Sequence, residues 1–180
     1  MYIGRICYPV RVLGPGNRVG IWVTGCKRNC RYCMSPELKD RDSGVTLSTE
    51  RICDIIDEIG DMDGITISGG EPFLQVKELI SLVDRVSEKV NKDILIYTGF
   101  AMNELESSYP YEMEFIKSKV SVIIDGEYIA MMDNGKGLMG SENQKIYVYN
   151  NFEKYKNIRS CKRRSQSFLY NGKIILIGIQ

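Results

Sequence analysis

Residues 47–73, LSTERICDIIDEIGDMDGITISGGEPF, contain a helical pattern followed by a strand-like run, and this succession decides the class of fold. Ser48 or Thr49 can cap the start of the helix, and Gly60 can end it. The apolar run at 64–68 then predicts a strand. The helix is predicted to bury one face, because its isoleucines are spaced at i, i+3, i+4 and i+7: Ile52, Ile55, Ile56 and Ile59.

The same alternation continues on both sides of this stretch. The predicted strands are residues 18–24, 64–68, 93–97, 120–124 and 145–149. Further helices are predicted at 75–90 and, on either side of Pro110, at 103–107 and 112–117. Strands joined by crossover helices form a parallel sheet with right-handed connections, so we expect an α/β fold with a mostly parallel, open sheet.

Each unusual loop of the chain follows one of these strands. The loops are residues 24–37, SGGEPF at 68–73, YTGF at 97–100 and IDGEY at 124–128. The carboxyl ends of parallel strands open on one edge of a sheet, and ligands bind at that edge. We therefore expect the functional site where these loops meet.

The C-terminal part of the chain differs from the rest. Residues 151–180 carry seven Lys or Arg and one acid, a local charge of +6, which leaves residues 1–150 with a net charge of −5. Asn171 and Gly172 separate two strand-like runs, and this pair favours a hairpin turn because both positions take positive φ. We predict a core domain at 1–150 and, packed on it, a basic tail with a β-hairpin at 151–180.

Composition bears on partners and location. A formal charge of +1 gives no reason to expect nucleic acid or a membrane surface as the main partner. No apolar stretch approaches the roughly 20 residues that span a bilayer, and residues 1–10 lack the apolar region of a signal peptide. We therefore expect a cytoplasmic protein, whose six cysteines are metal ligands or buried thiols rather than disulfides.

Three of the cysteines form the segment CKRNCRYC, residues 26–33, with the spacing C-x3-C-x2-C. A closed zinc site needs a fourth ligand, which Cys7 or Cys161 could supply. A 4Fe–4S cluster held by three cysteines leaves one iron free to bind something other than protein. The spacing alone leaves both kinds of site open. The chain has no histidine, and this favours chemistry that needs no general acid or base near pH 7.

The segment CKRNCRYC resembles the CxxxCxΦC signature of the radical S-adenosylmethionine (SAM) superfamily, in which Φ is aromatic. SGGEPF matches the GGEP motif of that superfamily and follows the second predicted strand. Four further segments resemble the activating proteins of anaerobic ribonucleotide reductase, in order and at similar spacing: GPGNRVGIWVTGC, ILIYTGF, VIIDGEY and GSENQ. The resemblance covers roughly residues 8–149 and implies a partial (β/α) barrel of the radical SAM type.

The resemblance also implies roles for individual residues. Cys26, Cys30 and Cys33 would each bind one iron, and SAM would chelate the fourth iron through its amino and carboxylate groups. Gly69 and Gly70 would let the backbone approach the SAM amino group. Further residues implied at the cofactor site are Tyr32 along the adenine, with Ser68, Glu71 and, in the GSENQ segment, Asn143. Thr98 and Asp125 are expected at the same site because they follow the third and fourth predicted strands. Packing by Tyr32, a turn at Asp125 and capping by Asn143 are the structural alternatives.

The implied activity is that of a radical SAM oxidoreductase working anaerobically. An electron from a flavodoxin- or ferredoxin-like donor would reach the cluster, and SAM would be cleaved reductively to a 5′-deoxyadenosyl radical. That radical would generate a glycyl radical on a partner enzyme. Two alternatives stay open: an enzyme that takes hydrogen directly from a peptide or small molecule, and a noncatalytic metal-binding module. The tail at 151–180 departs from the activating-protein pattern.

Overall fold

The computed structural model describes residues 1–170 and 172–179 of the chain. Its strands are β1 (Tyr2–Val10), β2 (Arg18–Val23), β3 (Val45–Thr46), β4 (Gly64–Gly69), β5 (Ile94–Tyr97), β6 (Val122–Asp125), β7 (Lys145–Val148), β8 (Ser165–Tyr170) and β9 (Lys173–Gly178). Its helices are α1 (Thr49–Ile59), α2 (Val76–Ser87), α3 (Met102–Ser108), α4 (Pro110–Lys119) and α5 (Phe152–Tyr155). Among the described residues, no helix is long and apolar enough to cross a membrane.

Seven strands form one open sheet in the order β3-β1-β2-β4-β5-β6-β7. The four central strands, β2, β4, β5 and β6, are parallel to one another. The flanking strands β1, β3 and β7 pair in the antiparallel sense. This topology confirms a mixed α/β fold with a largely parallel central sheet, while the barrel implied by the resemblance stays a prediction.

Strand β7 is the exception within the mostly parallel sheet that the sequence predicts, because it runs antiparallel to β6. Residues 126–144, all of them described, contain no α-helix, so the chain lacks the crossover that a parallel connection requires. Consequently the start of β7 lies at the same edge as the end of β6. The GSENQ segment at 140–144 therefore reaches the edge where the site is expected, although it precedes its strand.

Strand β1 was missed from the sequence. Its buried positions alternate as in a half-buried strand, but they include Arg5, which is 9% exposed, together with Ile3 and Cys7. The Arg5 guanidinium pairs with Glu37 at 3.0 Å and lies 5.2 Å from the centroid of the Trp22 ring. A charged residue at a buried position interrupts the apolar alternation by which a strand is recognised.

One face of the sheet packs against α1, α2 and α4. Ile52 of α1 and Ile65 of β4 are fully buried in the same apolar cluster, and burying such a side chain stabilises the fold by about 2 kcal/mol. Helix α1 starts after Ser48 and ends before Gly60, as predicted. The helix thus uses its isoleucine stripe to hold the parallel strands from one side.

The opposite face of the sheet is covered by the C-terminal part of the chain. Leu95 of β5 and Ile124 of β6 belong to a cluster that includes Tyr155 and Ile158. Cys161 and Ile179 also pack against this cluster. The C-terminal segment therefore encloses the sheet on the side that the helices leave free.

The predicted hairpin is confirmed as β8 and β9, which pair antiparallel. Asn171, predicted to form its turn with Gly172, lies outside the described residues. Gln166 of β8 fastens the hairpin to the core, because its Oε1 accepts from the Arg11 backbone N at 3.0 Å and its Nε2 donates to the Pro9 carbonyl at 2.8 Å. Ile177 of β9 is 3% exposed beneath it.

Candidate functional site

The loops after β2, β4, β5 and β6 meet at one edge of the sheet around a cavity of about 200 Å³. This is the edge at which the sequence predicts a site. The predicted site residues that line the cavity are Cys26, Cys30, Cys33, Ser68, Gly69, Gly70, Glu71 and Thr98. Residues of two distant motifs, the cysteine segment and SGGEPF, thus share one cavity.

The cysteine loop is held closed at its base by backbone bonds. Gly25 N donates to the Leu38 carbonyl at 2.9 Å, and Cys26 N donates to the Lys39 carbonyl at 3.0 Å. The Thr24 hydroxyl donates to the Arg41 carbonyl at 2.7 Å. The loop therefore returns to its starting point and presents its thiols between two anchored ends.

The three thiols are half-buried and unbridged. Burial raises the pKa of the Cys26 and Cys30 thiols, so they are protonated in the free protein near neutral pH and lose protons on binding a metal. Within the described residues, no three His, Cys, Asp or Glu side chains are close enough to share one metal ion. A 4Fe–4S cluster does not require its ligands to converge on one ion, because each thiolate binds its own iron. Three thiols around one cavity are compatible with such a cluster.

The two cysteines considered as a fourth ligand do not line the cavity. Cys7 is buried in an apolar cluster with Trp22 and Leu38. Cys161 packs elsewhere, and its thiol donates to the Ile158 carbonyl at 3.6 Å. In the part of the chain that the structure describes, no fourth cysteine completes the set.

Gly69 and Gly70 have a structural reason to be glycine. A Cβ at Gly69 would collide with the backbone of Val23, and a Cβ at Gly70 would collide with the carbonyl oxygen of Gly25. Gly70 N donates to the Val23 carbonyl at 2.7 Å, and Glu71 N donates to the Gly25 carbonyl at 2.8 Å. The glycine pair thus lets the end of β4 lie directly against the start of the cysteine loop.

Replacing Gly70 by alanine is expected to lower the free energy of unfolding by about 3 kcal/mol, because the new methyl group meets backbone that cannot turn away. Urea unfolding monitored by circular dichroism measures the loss. Gly135→Ala is the control, since a Cβ there meets nothing within 4 Å and only its positive φ is strained, at about 1 kcal/mol. Equal losses in the two variants would contradict the close contact at Gly70.

Glu71 joins the loops after β4 and β5. Its carboxylate accepts from the Thr98 hydroxyl at 2.8 Å, from Gly99 N at 2.7 Å and from Phe73 N at 3.0 Å. Burial raises the pKa of Glu71 to about 7, against the lowering effect of these three bonds and of Arg28. Both oxygens are used within the protein, so Glu71 acts by positioning Thr98 and Gly99 at the cavity wall.

Three predicted site residues are not among those that line the cavity. The Tyr32 side chain is 68% exposed, and the Arg31 guanidinium lies 5.0 Å from its ring centroid. The Asp125 carboxylate is buried and accepts from Met102 N at 2.6 Å and from Lys145 N at 3.1 Å. Asn143 lies behind the wall, where its amide donates to a backbone carbonyl of the loop after β6 at 2.8 Å.

Several cavity residues were missed from the sequence, and they come from the cysteine loop, from β1 and from the hairpin. Arg28 of the cysteine loop pairs with Glu104 at 2.7 Å and lies 4.9 Å from the centroid of the Phe100 ring. The sequence signal that could have identified Arg28 was its position within the CKRNCRYC motif. β1 contributes Arg5, and the hairpin contributes a run of four residues at 176–179. Neither contribution has a local sequence signal.

The family model described as a 4Fe–4S single cluster domain matches residues 12–147. This range contains every residue predicted at the site. It ends before α5 and the hairpin, so the C-terminal segment lies outside the match.

Curated proteins similar to the chain carry the name anaerobic ribonucleoside-triphosphate reductase-activating protein. The relative from Vibrio cholerae is 32% identical over 151 residues, covering 79% of this chain and 95% of its own length. The relative from Haemophilus influenzae is also 32% identical over 151 residues, with the same coverage. The relative from Salmonella typhi is 30% identical over 149 residues, covering 78% of this chain and 94% of its own length.

Proposed function

This chain belongs to the 4Fe–4S single cluster domain family and to the anaerobic ribonucleoside-triphosphate reductase-activating proteins, and from that premise we propose that it activates such a reductase by radical SAM chemistry. The observation that carries the proposal is the convergence of three free thiols on one cavity that no fourth cysteine lines in the described residues. Cys26, Cys30 and Cys33 would hold three irons of a 4Fe–4S cluster. The fourth iron is left for SAM.

Cys26, Cys30 and Cys33 would hold a cluster that, when reduced, would supply the one electron for reductive cleavage of SAM to methionine, and the nucleoside fragment would leave as 5′-deoxyadenosine after taking a Cα hydrogen from a glycine of the reductase, where the radical would remain. The protein's own residues orient the reactants and exclude water. Ser68, Gly69 and Gly70 form the wall beside the thiols. Thr98 and Gly99 form the neighbouring wall, fixed by Glu71.

Asp125 and Asn143 enter the proposal as positioning residues. The Asp125 carboxylate joins the start of α3 to the start of β7 through backbone amides. The Asn143 side chain holds the loop after β6 through the Glu127 carbonyl. The Tyr32 ring is directed to solvent, so no contact within the cavity is proposed for it.

Two protein partners follow from the proposed reaction. One is the anaerobic reductase that receives the glycyl radical, and the other is a flavodoxin- or ferredoxin-like donor that reduces the cluster. The name that the relatives carry supports the first partner. The electron donor is inferred because each reductive cleavage of SAM consumes one electron.

Anaerobic reconstitution with iron and sulfide, followed by reduction with dithionite in the presence of SAM and the host's anaerobic reductase, tests the proposal. We expect a glycyl doublet in the electron paramagnetic resonance spectrum and an equivalent amount of 5′-deoxyadenosine. SAM cleavage without a doublet on the reductase would refute the activating role and point to a peptide or small-molecule substrate. A protein that contains zinc and leaves SAM intact would refute radical chemistry altogether.

A further inference from the structure

The C-terminal hairpin contributes directly to the wall of the candidate site. Four consecutive residues line the cavity together with the three thiols: Leu176, Ile177, Gly178 and Ile179. Gly178 must be glycine for the hairpin to close, because a Cβ there would lie 2.5 Å from the Arg164 carbonyl oxygen across the pair. The hairpin is therefore a built part of the cavity.

It is the edge of β9 that faces the cavity. Successive side chains of a strand point to opposite faces, and Leu176 is 52% exposed whereas Ile177 is 3% exposed. The cavity is lined by residues from both faces of β9, since it includes Leu176, Ile177 and their neighbours in sequence. It therefore lies along the edge of the strand. The main chain of β9, with its N–H and C=O groups, thus borders the cavity.

This edge of β9 has no strand partner among the described residues. β8 and β9 form a two-stranded sheet, and the pairing of β9 is with β8. The β8 side of the hairpin is attached to the core through Gln166, which bonds to Pro9 and Arg11. An edge with unpaired main-chain groups is a template on which another extended chain can pair.

We propose that the free edge of β9 receives an extended segment of the partner reductase by strand addition, and so brings that segment's main chain to the thiols. The inference rests on the proposed function, in which the reacting hydrogen lies on a glycine Cα. Glycine has no side chain by which it could be recognised, so recognition through the main chain suits such a substrate. In strand addition, main-chain bonds supply affinity and alternate side chains supply specificity.

The surface of the hairpin indicates the chemistry of that segment. Leu169, Ile174 and Leu176 lie on one face of the hairpin and are 79%, 79% and 52% exposed. An added strand extends this face, so the segment places an apolar side chain at every second position there. Nearby Lys162 and Arg164 are exposed cations, which favour acidic residues flanking the segment.

The docking edge belongs to the part of this chain beyond the family match. The match ends at residue 147, whereas β9 begins at Lys173. The hairpin thus adds a surface to a domain whose proposed chemistry lies within the match. We expect it to set the preference of this chain for its own reductase.

Binding of a fluorescein-labelled synthetic peptide that spans the radical-forming glycine of the host reductase tests the inference without a cluster or SAM. We expect Leu176→Lys to weaken binding at least tenfold, because the charge stands at the edge where the peptide pairs. Val45→Lys is the matched control: it is also an exposed apolar residue of a strand, but it belongs to β3 and does not line the cavity. It should bind within twofold of the unmodified chain.

Hydrogen exchange of the unmodified chain provides a second readout. The amides of residues 173–179 should exchange more slowly when the peptide is bound, whereas those of α1 should not change. Equal binding by both variants with no new protection in β9 would overturn the inference, even if the reductase acquires its glycyl doublet. If no doublet forms on the reductase, the proposed function itself fails. Slow exchange that requires high protein concentration and no peptide would instead show β9 pairing between two copies of this chain, and would overturn the proposed occupant.

Discussion

Replacing Cys30 by alanine is expected to abolish cluster binding and, with it, all reductive cleavage of SAM. Three thiols line the cavity, and the other cysteines that could replace a lost ligand, Cys7 and Cys161, lie in apolar packing elsewhere. With two thiolates, two irons of the proposed cluster would lack a protein ligand, and the cluster would bind too weakly to be retained. Iron content after anaerobic reconstitution should fall from about four per chain to below one.

The experiment separates loss of a ligand from loss of the fold. Cys161→Ala is the matched control, because Cys161 is another free, half-buried cysteine and does not line the cavity. That variant should keep its iron and its rate of 5′-deoxyadenosine formation. Circular dichroism should show both variants folded, since Cys30 is a loop residue. A folded Cys30→Ala protein that retains four irons and cleaves SAM would contradict the proposed ligand set.

The parts of the fold that could be predicted are those whose signal is local. Helix α1 follows from the spacing of its isoleucines and from Ser48, whose hydroxyl accepts a hydrogen bond from Arg51 N at 3.2 Å. The central strands follow from short apolar runs between helices. β1 could not be predicted in this way, because its buried Arg5 is tolerated only through contacts with Glu37 and Trp22.

The same distinction between local and non-local sequence signals applies to the candidate site. The cysteine and SGGEPF motifs both follow strands that end at one edge, so their meeting could be deduced from topology. The position of the Tyr32 ring could not be deduced, because it depends on the left-handed backbone of that residue, with φ of 61°, inside an irregular loop. The contribution of the hairpin to the cavity wall could not be deduced either, because the sequence of residues 173–179 does not specify what they pack against.

Replacing Asp93 by alanine is expected to destabilise the protein by about 4 kcal/mol, because it leaves the charge of Arg18 buried without its counter-ion. Arg18 is 0% exposed, and its Nη1 lies 2.8 Å from Asp93 Oδ1. The same carboxylate also accepts from the Tyr155 hydroxyl and pairs with Lys154. Asp93 therefore connects the amino ends of β2 and β5 to α5, and its loss weakens the attachment of the C-terminal segment.

Urea unfolding measures this loss, and Glu88→Ala is the matched control. Glu88 pairs with Lys119 at 3.3 Å, but its side chain is 73% exposed, so removing it should cost less than about 1 kcal/mol. A stability of roughly 5–15 kcal/mol leaves little margin after a 4 kcal/mol loss, and we expect Asp93→Ala to expose residues 152–179 to proteolysis before the core. If the two variants unfold at the same urea concentration, other groups must stabilise the buried charge of the Arg18 guanidinium. In that case Asp93 does not secure the C-terminal segment to the sheet.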